Sequence, residues 1–92
     1  MQMGGIILYA FEYTIQDPIG IHARPAGQLA KLAAEFSSKV QICKGDKKVE
    51  LRRLMAVMGL GIKHEETIRI EVEGEDEQAA GQKIEAFLKE NL

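Results

Sequence analysis

The sequence predicts an α+β fold in which one four-stranded antiparallel sheet carries three helices on a single face. Four segments alternate large apolar with polar residues, the period of a half-buried strand, and three others lack this alternation and are predicted to be helices. They occur in the order βαββαβα. Strands with one wet and one dry face favour an antiparallel sheet covered on one side, an open-faced α/β sandwich. The 92 residues suffice for one domain, residues 1–92, with a modest core.

The first strand and the first helix are separated by a turn. The strand is predicted from Ile7 to Gln16, with the apolar set Tyr9, Phe11, Tyr13 and Ile15. Asp17-Pro18-Ile19-Gly20 ends it, because proline removes a donor from the sheet and glycine frees the backbone. The helix is predicted from about Pro25 to Phe36, with the apolar stripe Leu29, Leu32, Ala33 and Phe36.

A hairpin and a short helix are predicted next. Two short alternating runs flank the turn Gly45-Asp46-Lys47 and should pair antiparallel; their apolar residues are Val40, Ile42, Val49 and Leu51. The run from Arg53 to Met58 does not alternate and is closed by Gly59 and Gly61, which indicates a helix of one or two turns.

The last strand and the last helix follow in turn. Alternation returns from Thr67 to Glu73 through Ile68, Ile70 and Val72. The last helix is predicted to start around Glu75-Asp76-Glu77, where the helix dipole favours acidic residues, and to run towards Lys89.

Composition argues against several classes of function. With 14 acidic and 12 basic residues, the net charge of -2 offers nucleic acid no broad attraction. The apolar opening from Ile6 to Phe11 is too short to span a bilayer and follows no cationic segment, so neither a membrane anchor nor a signal peptide is predicted. The single cysteine, Cys43, suits a reducing compartment and predicts a cytoplasmic protein.

Most other chemically active side chains are given structural interpretations. Cys43 falls opposite Val40 and Ile42, so we expect it to be partly exposed and inert. His64 is interpreted as a solvated turn residue, and its spacing to His22 indicates no shared metal; no metal or cofactor is predicted. The charged clusters are interpreted as solvated faces and helix-end charges; they are Lys47-Lys48, Arg52-Arg53 and Glu75-Asp76-Glu77.

The candidate site is Gly20-Ile21-His22-Ala23-Arg24-Pro25, between the first turn and the first helix. Neutral imidazole is a nucleophile near pH 7, and the unpaired N–H groups of a helix start can hold phosphoryl oxygens. Arg24 adds a planar donor fork, Pro25 suits a first helical turn, and Gly20 permits close approach of the chain. A plainer alternative stays open, in which His22 is only a capping or surface residue.

These residues resemble the HPr family, the histidine-containing phosphocarriers of the bacterial phosphoenolpyruvate-dependent sugar phosphotransferase system. The resemblance extends from about Ile7 to Leu88 and includes the stretch from Leu51 to Ile62 and the entry to the last helix, Glu73 to Glu77. It leaves out Met1 to Gly5. It implies the same open-faced β-sandwich and a stoichiometric phosphocarrier rather than an enzyme.

The resemblance also implies roles for the site residues. His22 would accept a phosphoryl group on Nδ1 from phosphorylated enzyme I and pass it to a histidine of an enzyme IIA-type protein in sugar uptake. Arg24 would stabilise that group, Pro25 would fix the backbone, and the backbone of Gly20, Ala23 and Arg24 would approach its oxygens.

A partner surface is implied on the first and second helices. It comprises Lys31, Leu54, Met55 and Met58, and flexible methionines suit a surface that adapts to several partners. The plainer alternative is that Leu54 and Val57 belong to the core, and for Val57 we prefer it. A working monomer is expected.

Two positions depart from the family pattern. Arg53 stands where many relatives carry a regulatory serine, and Ile19 replaces a small polar residue. The departure at Arg53 leaves open a paralogue that serves a regulatory, for example nitrogen-related, relay. A domain that binds an anion at His22 and Arg24 without covalent chemistry is a further alternative.

Overall fold

The computed structural model describes residues 8–92, and within them the element order is the predicted βαββαβα. The elements are β1 (Tyr9–Thr14), α1 (Ala23–Ala34), β2 (Lys39–Lys44), β3 (Lys47–Glu50), α2 (Leu54–Gly59), β4 (Thr67–Glu73) and α3 (Glu77–Asn91). The predicted first residue of β1, Ile7, and the segment from Met1 to Gly5 lie outside the described residues. None of the described helices is long and apolar enough to cross a membrane.

All strand pairs in the sheet are antiparallel, and the strand order is β1-β4-β2-β3. On the inner face Ile70 of β4 lies between Phe11 of β1 and Ile42 of β2, and Ile42 also pairs with Val49 of β3. The predicted hairpin and the predicted alternation of β4 are therefore confirmed.

The core lies between this inner face and the three helices. Helix α3 packs on β1, β4 and α1, while α2 packs on β3 and α1. The largest fully buried side chains include Ile15, Leu29, Ile42, Leu51, Ile70, Ile84 and Leu88. Each belongs to an apolar set predicted from the sequence. The two-residue period of the strands and the 3.6-residue period of the helices together account for these core positions.

Helix α1 begins and ends two residues earlier than predicted. It starts at Ala23 because the Ala26 N–H already donates to the His22 carbonyl (3.0 Å). Pro25 is thus inside the first turn, where its missing N–H costs no intrahelical bond. Phe36 lies beyond the helix but still packs against the core, so it extended the apolar stripe into the following turn.

The interpretation of Glu75-Asp76-Glu77 as solvated charges is wrong for Glu77 and incomplete for Asp76. Glu77 is 3% exposed, and its Oε1 accepts the Gly74 N–H at 3.1 Å. Asp76 accepts the Ser37 N–H and the Ser38 N–H, each at 2.9 Å, together with the Ser38 hydroxyl. These carboxylates turn inward because they accept hydrogen bonds from backbone N–H groups. Those of Ser37 and Ser38 lie between α1 and β2, and that of Gly74 lies before α3.

The prediction of a partly exposed Cys43 is also wrong, since the residue is only 8% exposed. Cys43 lies on the outer face of the sheet, paired with Lys48 of β3 and Arg69 of β4. Glu71 binds both cations, with 2.8 Å to Lys48 Nζ and 2.9 Å to Arg69 Nε. We attribute the low exposure of Cys43 to these ion-paired cross-strand neighbours.

Candidate functional site

The turn before α1 is held by its own hydrogen bonds and by the chain around Ile62. The Gly20 N–H donates to the Asp17 carbonyl (2.9 Å), and the Ile21 N–H donates to the Ile62 carbonyl (3.0 Å). Gly20 adopts φ +83°, and a Cβ there would collide with the Ile62 carbonyl oxygen and lie 2.7 Å from the Lys63 Cα. Glycine is therefore required for both the conformation and the close approach.

His22 occupies the N-cap position of α1 with an extended backbone (φ −108°, ψ −177°). Its side chain makes no capping hydrogen bond and is 38% exposed. The imidazole is therefore not used to cap the start of the helix, which argues against the capping interpretation. The amides of Ala23 and Arg24 precede the first intrahelical bond, and such N–H groups can donate hydrogen bonds to an anionic ligand.

An open depression of about 220 Å³ brings together the predicted residues His22, Arg24 and Pro25, whereas Gly20 and Ala23 are not among its lining residues. Its lining comprises Asp17, His22, Arg24, Pro25, Gln28 and Asn91. Arg24 is exposed and Pro25 is buried, and both line the depression with His22.

Three lining residues were missed by sequence reasoning. Gln28 follows Arg24 at the i+4 spacing and could have been found on the same helix face. Asp17 was assigned only a turn-forming role, although it precedes His22 closely in the chain. Asn91 lies at the end of α3, and no local sequence signal connects it with the site.

Asp17 faces the imidazole directly. Its Oδ2 lies 3.8 Å from Nε2 of His22, while its Oδ1 accepts the Ile19 N–H at 2.8 Å. Nε2 is therefore the ring nitrogen within ion-pair distance of this carboxylate, and 3.8 Å is longer than a hydrogen bond. An acidic partner on one ring nitrogen is a common way to assign the proton and leave the other nitrogen nucleophilic.

The predicted partner surface is apolar and exposed. Met55 is 79% exposed, Leu54 and Met58 are also exposed, and Lys31 is exposed on α1, which packs against α2. Val57 is buried, as preferred. The alternative that Leu54 belongs to the core is wrong. Leu54 is exposed, whereas Val57 on the same short helix is buried.

Arg53, Ile19 and His64 are all exposed. Arg53 is the N-cap residue of α2 and makes no capping hydrogen bond with its side chain. His64 lies in the turn before β4, as predicted. Within residues 8–92 no three His, Cys, Asp or Glu side chains are grouped so that they could hold a metal ion.

A family model described as "PTS HPr component phosphorylation site" matches residues 9–90. The chain belongs to the HPr family. It is 39% identical over 79 residues to the phosphocarrier protein HPr of Lysinibacillus sphaericus, a match covering 86% of this chain and 90% of that protein.

Solved HPr structures share the fold. The histidine-containing phosphocarrier protein of a Mycoplasma superposes with a TM-score of 0.87 at 38% identity, covering 89% of this chain and 93% of the other. HPr from Thermoanaerobacter tengcongensis gives a TM-score of 0.84 at 30% identity, covering 88% and 91%. The chain is a phosphocarrier of the phosphotransferase system with the open-faced HPr sandwich, and HPr proteins carry phosphoryl groups without being catalysts.

Proposed function

We propose that this chain accepts a phosphoryl group on Nδ1 of His22 from phosphorylated enzyme I and passes it to enzyme IIA-type proteins in sugar uptake. The observation that carries the proposal is the placement of His22. Its imidazole is at a helix start, is not used for capping, and shares a solvent-open depression with Arg24. A carrier must expose its nucleophile to two different proteins, and this position does so.

The transfer needs little chemistry from the carrier itself. The lone pair of Nδ1 forms the bond to phosphorus while the bond from phosphorus to the donor breaks, and that electron pair stays with the donor. The Ala23 and Arg24 amides and the Arg24 guanidinium hold the phosphoryl oxygens, which keep their negative charge throughout. Buried Pro25 and the close contact of Gly20 with Ile62 keep this backbone rigid.

The docking surface is proposed to comprise Lys31, Leu54, Met55 and Met58. Its support is the exposure of large apolar side chains on α2 beside α1, the helix that starts at His22. Exposed apolar clusters with a basic rim suit partners whose own surface is apolar with acidic residues at its edge.

We further propose that the chain is a cytoplasmic protein that binds neither nucleic acid nor membranes. The support is a lone thiol, which suits a reducing compartment, and a nearly balanced net charge of -2.

The test is to incubate the purified protein with enzyme I, magnesium and phosphoenolpyruvate and to measure intact mass and acid lability. One acid-labile phosphoryl group is expected on the wild type and on His64→Gln, a control that removes the exposed turn histidine. His22→Gln should remain unlabelled with a nearly unchanged Tm, because no core contact is lost. A folded wild type that stays unlabelled, or a labelled His22→Gln, would contradict the proposal; the first result would favour non-covalent anion binding.

A regulatory relay is the second candidate, and exposed Arg53 at the start of α2 is the observation that favours it. An arginine there adds positive charge to a surface on which partners would dock. Comparing transfer from the labelled protein to sugar-specific and to regulatory IIA-type acceptors distinguishes the two relays.

A further inference from the structure

We infer that Asp17 is a positioning residue for His22, holding the imidazole proton on Nε2 and stabilising the ring once Nδ1 is phosphorylated. The inference rests on the proposed function of His22. Among residues 8–92, Asp17 is the acidic side chain recorded within 4.0 Å of His22, with 3.8 Å between Oδ2 and Nε2. Both side chains line the same depression.

The Asp17 carboxylate is fixed by contacts on its other side. Oδ1 accepts the Ile19 N–H (2.8 Å), the Asp17 N–H donates to the Leu92 carbonyl (2.8 Å), and the Asp17 carbonyl accepts the Gly20 N–H. The side chain is 22% exposed. With Oδ1 engaged in the turn, Oδ2 is the oxygen left to face the ring, so the turn aims one carboxylate oxygen at one ring nitrogen.

The chemistry of Nδ1 transfer explains why this arrangement is useful. A neutral imidazole with its proton on Nε2 keeps a lone pair on Nδ1. When Nδ1 bonds to phosphorus the ring becomes cationic, and its attraction to the Asp17 carboxylate, 3.8 Å from Nε2, becomes stronger. When the phosphoryl group leaves, the electron pair of the N–P bond returns to Nδ1 and the ring is neutral again. No proton has to move in either direction.

Asp17 and Arg24 are placed to act on the charges that develop during transfer. Arg24 is the other charged residue lining the depression, while Gln28 and Asn91 are neutral. A carboxylate on the Nε2 side stabilises the developing cation, and Arg24 on the phosphoryl side stabilises the anionic oxygens. The two residues therefore act on opposite ends of the phosphoimidazole.

The experiment compares Asp17→Asn and Asp17→Ala, each made in a His64→Gln background so that His22 is the labelled histidine. Asparagine keeps an Oδ1 that can accept the Ile19 N–H but removes the charge, whereas alanine removes both. Asp46→Asn, in the exposed β2–β3 turn, is the matched control for charge. Phosphoramidate serves as the phosphoryl donor, because it requires no partner protein and releases ammonia as phosphorus bonds to Nδ1. The same variants are then tested with enzyme I.

Two readouts are measured. The first is the labelling rate, followed by ³¹P NMR, which should fall about three- to tenfold in both Asp17 variants and stay unchanged in Asp46→Asn. The second is the ¹H–¹⁵N signal of the phosphorylated ring. In the wild type its Nε2–H should exchange slowly with water, and in Asp17→Asn that protection should be lost.

The outcomes distinguish a positioning role of Asp17 from a turn-forming role, and both from a failure of the proposed function of His22. If Asp17→Asn matches the wild type in rate and Nε2–H protection, the role of Asp17 is confined to forming the turn and the inference is overturned. Labelling by phosphoramidate without labelling by enzyme I would contradict the proposed function alone, because the Asp17 comparison would still be measured. A wild-type His22 that neither donor labels would overturn both.

Discussion

Within residues 8–92, Arg24 is the one arginine or lysine that lines the depression beside His22. Arg24→Ala should slow phosphoryl transfer from enzyme I about tenfold or more, because the transferring oxygens lose a charged donor. The Tm should not change, since the side chain is exposed. Stopped-flow transfer rates and thermal unfolding test both statements, and Arg24→Lys should retain part of the rate as a point charge without the donor fork.

Lys47→Ala is the matched control, because it removes an exposed cation from the hairpin turn. If Arg24→Ala and Lys47→Ala transfer at the same rate, Arg24 has no electrostatic role in the site.

The Cys43 thiol should react slowly in the native protein. Burial raises its pKa above 9.0, and the nearby Glu71 carboxylate raises it further, against a smaller lowering by Lys48 and Arg69. Less thiolate therefore forms at neutral pH, and the ion-paired side chains also block access. Labelling with a thiol-reactive dye should be at least about tenfold slower in buffer than in concentrated urea. Equal rates in the two solvents would show that the ion pairs leave the thiol open.

For Cys43 and Asp17, the local sequence pattern does not predict the contacts that each side chain makes with residues elsewhere in the chain. Alternation correctly predicted that Cys43 lies on the outer face of the sheet, but exposure there depends on the side chains of β3 and β4. These strands are distant from one another in sequence, so their ion pairs over the thiol have no local signature. The sequence likewise predicts only a turn-forming role for Asp17. That role accounts for Oδ1, which accepts the Ile19 N–H, but no sequence pattern predicts that Oδ2 faces His22.

Asp76 joins two elements, since it is the N-cap residue of α3 while its carboxylate, which makes no capping hydrogen bond, binds the loop between α1 and β2. Hydrogen bonds from the Ser38 hydroxyl and from the Ser37 and Ser38 amides hold the pKa of its carboxyl below the usual value of 3.8. A group with a lowered folded-state pKa stabilises the fold above its unfolded pKa, and the effect is lost as pH falls through the folded value.

Asp76→Asn should therefore lower the Tm at pH 7 by about 5 °C or more, while the difference from the wild type should shrink below pH 4. Thermal unfolding followed by circular dichroism between pH 2.5 and pH 7 measures this. Glu75→Gln removes a neighbouring exposed charge and serves as the control. A Tm difference that is constant across the pH range would mean that the charge of Asp76 contributes nothing to the contact.

The number, type and sequence order of the elements could be predicted, whereas their ends could not be located to the residue. Apolar spacing detects which residues face the core, and Phe36 satisfies the helical spacing although it lies beyond α1. The end of a helix depends on which backbone group finds a partner. At the start of α1 that partner is the His22 carbonyl, which the apolar pattern does not report.

At the scale of the molecule, the layers follow from the sequence but the strand order does not. Each strand's alternation shows that it has one buried face, which is sufficient to predict an open-faced sandwich. The order β1-β4-β2-β3 depends on pairings between segments far apart in the chain. The site likewise depends on contacts between distant segments, because Asn91 of α3 lies near the start of α1 only in the folded chain.

The surface formed by Lys31, Leu54, Met55 and Met58 should control docking without affecting the chemistry of His22. Met55 is 79% exposed, so replacing its apolar side chain by a polar one of similar length should not disturb the core. A well-placed exposed anchor contributes about 1–2 kcal/mol to binding, which corresponds to a change of about tenfold in affinity. Met55→Gln should therefore raise the enzyme I concentration needed for half-maximal transfer about tenfold.

Two comparisons make this prediction specific to docking. Met55→Gln should be labelled by phosphoramidate at the wild-type rate, because that donor needs no protein surface, and its Tm should be unchanged. Leu8→Gln removes another exposed apolar side chain, just before β1, and should transfer normally. If Met55→Gln needs no more enzyme I than Leu8→Gln does, the apolar face of α2 is not where the donor binds. If instead its phosphoramidate labelling falls as well, Met55 acts on the site itself and the separation of docking from chemistry fails.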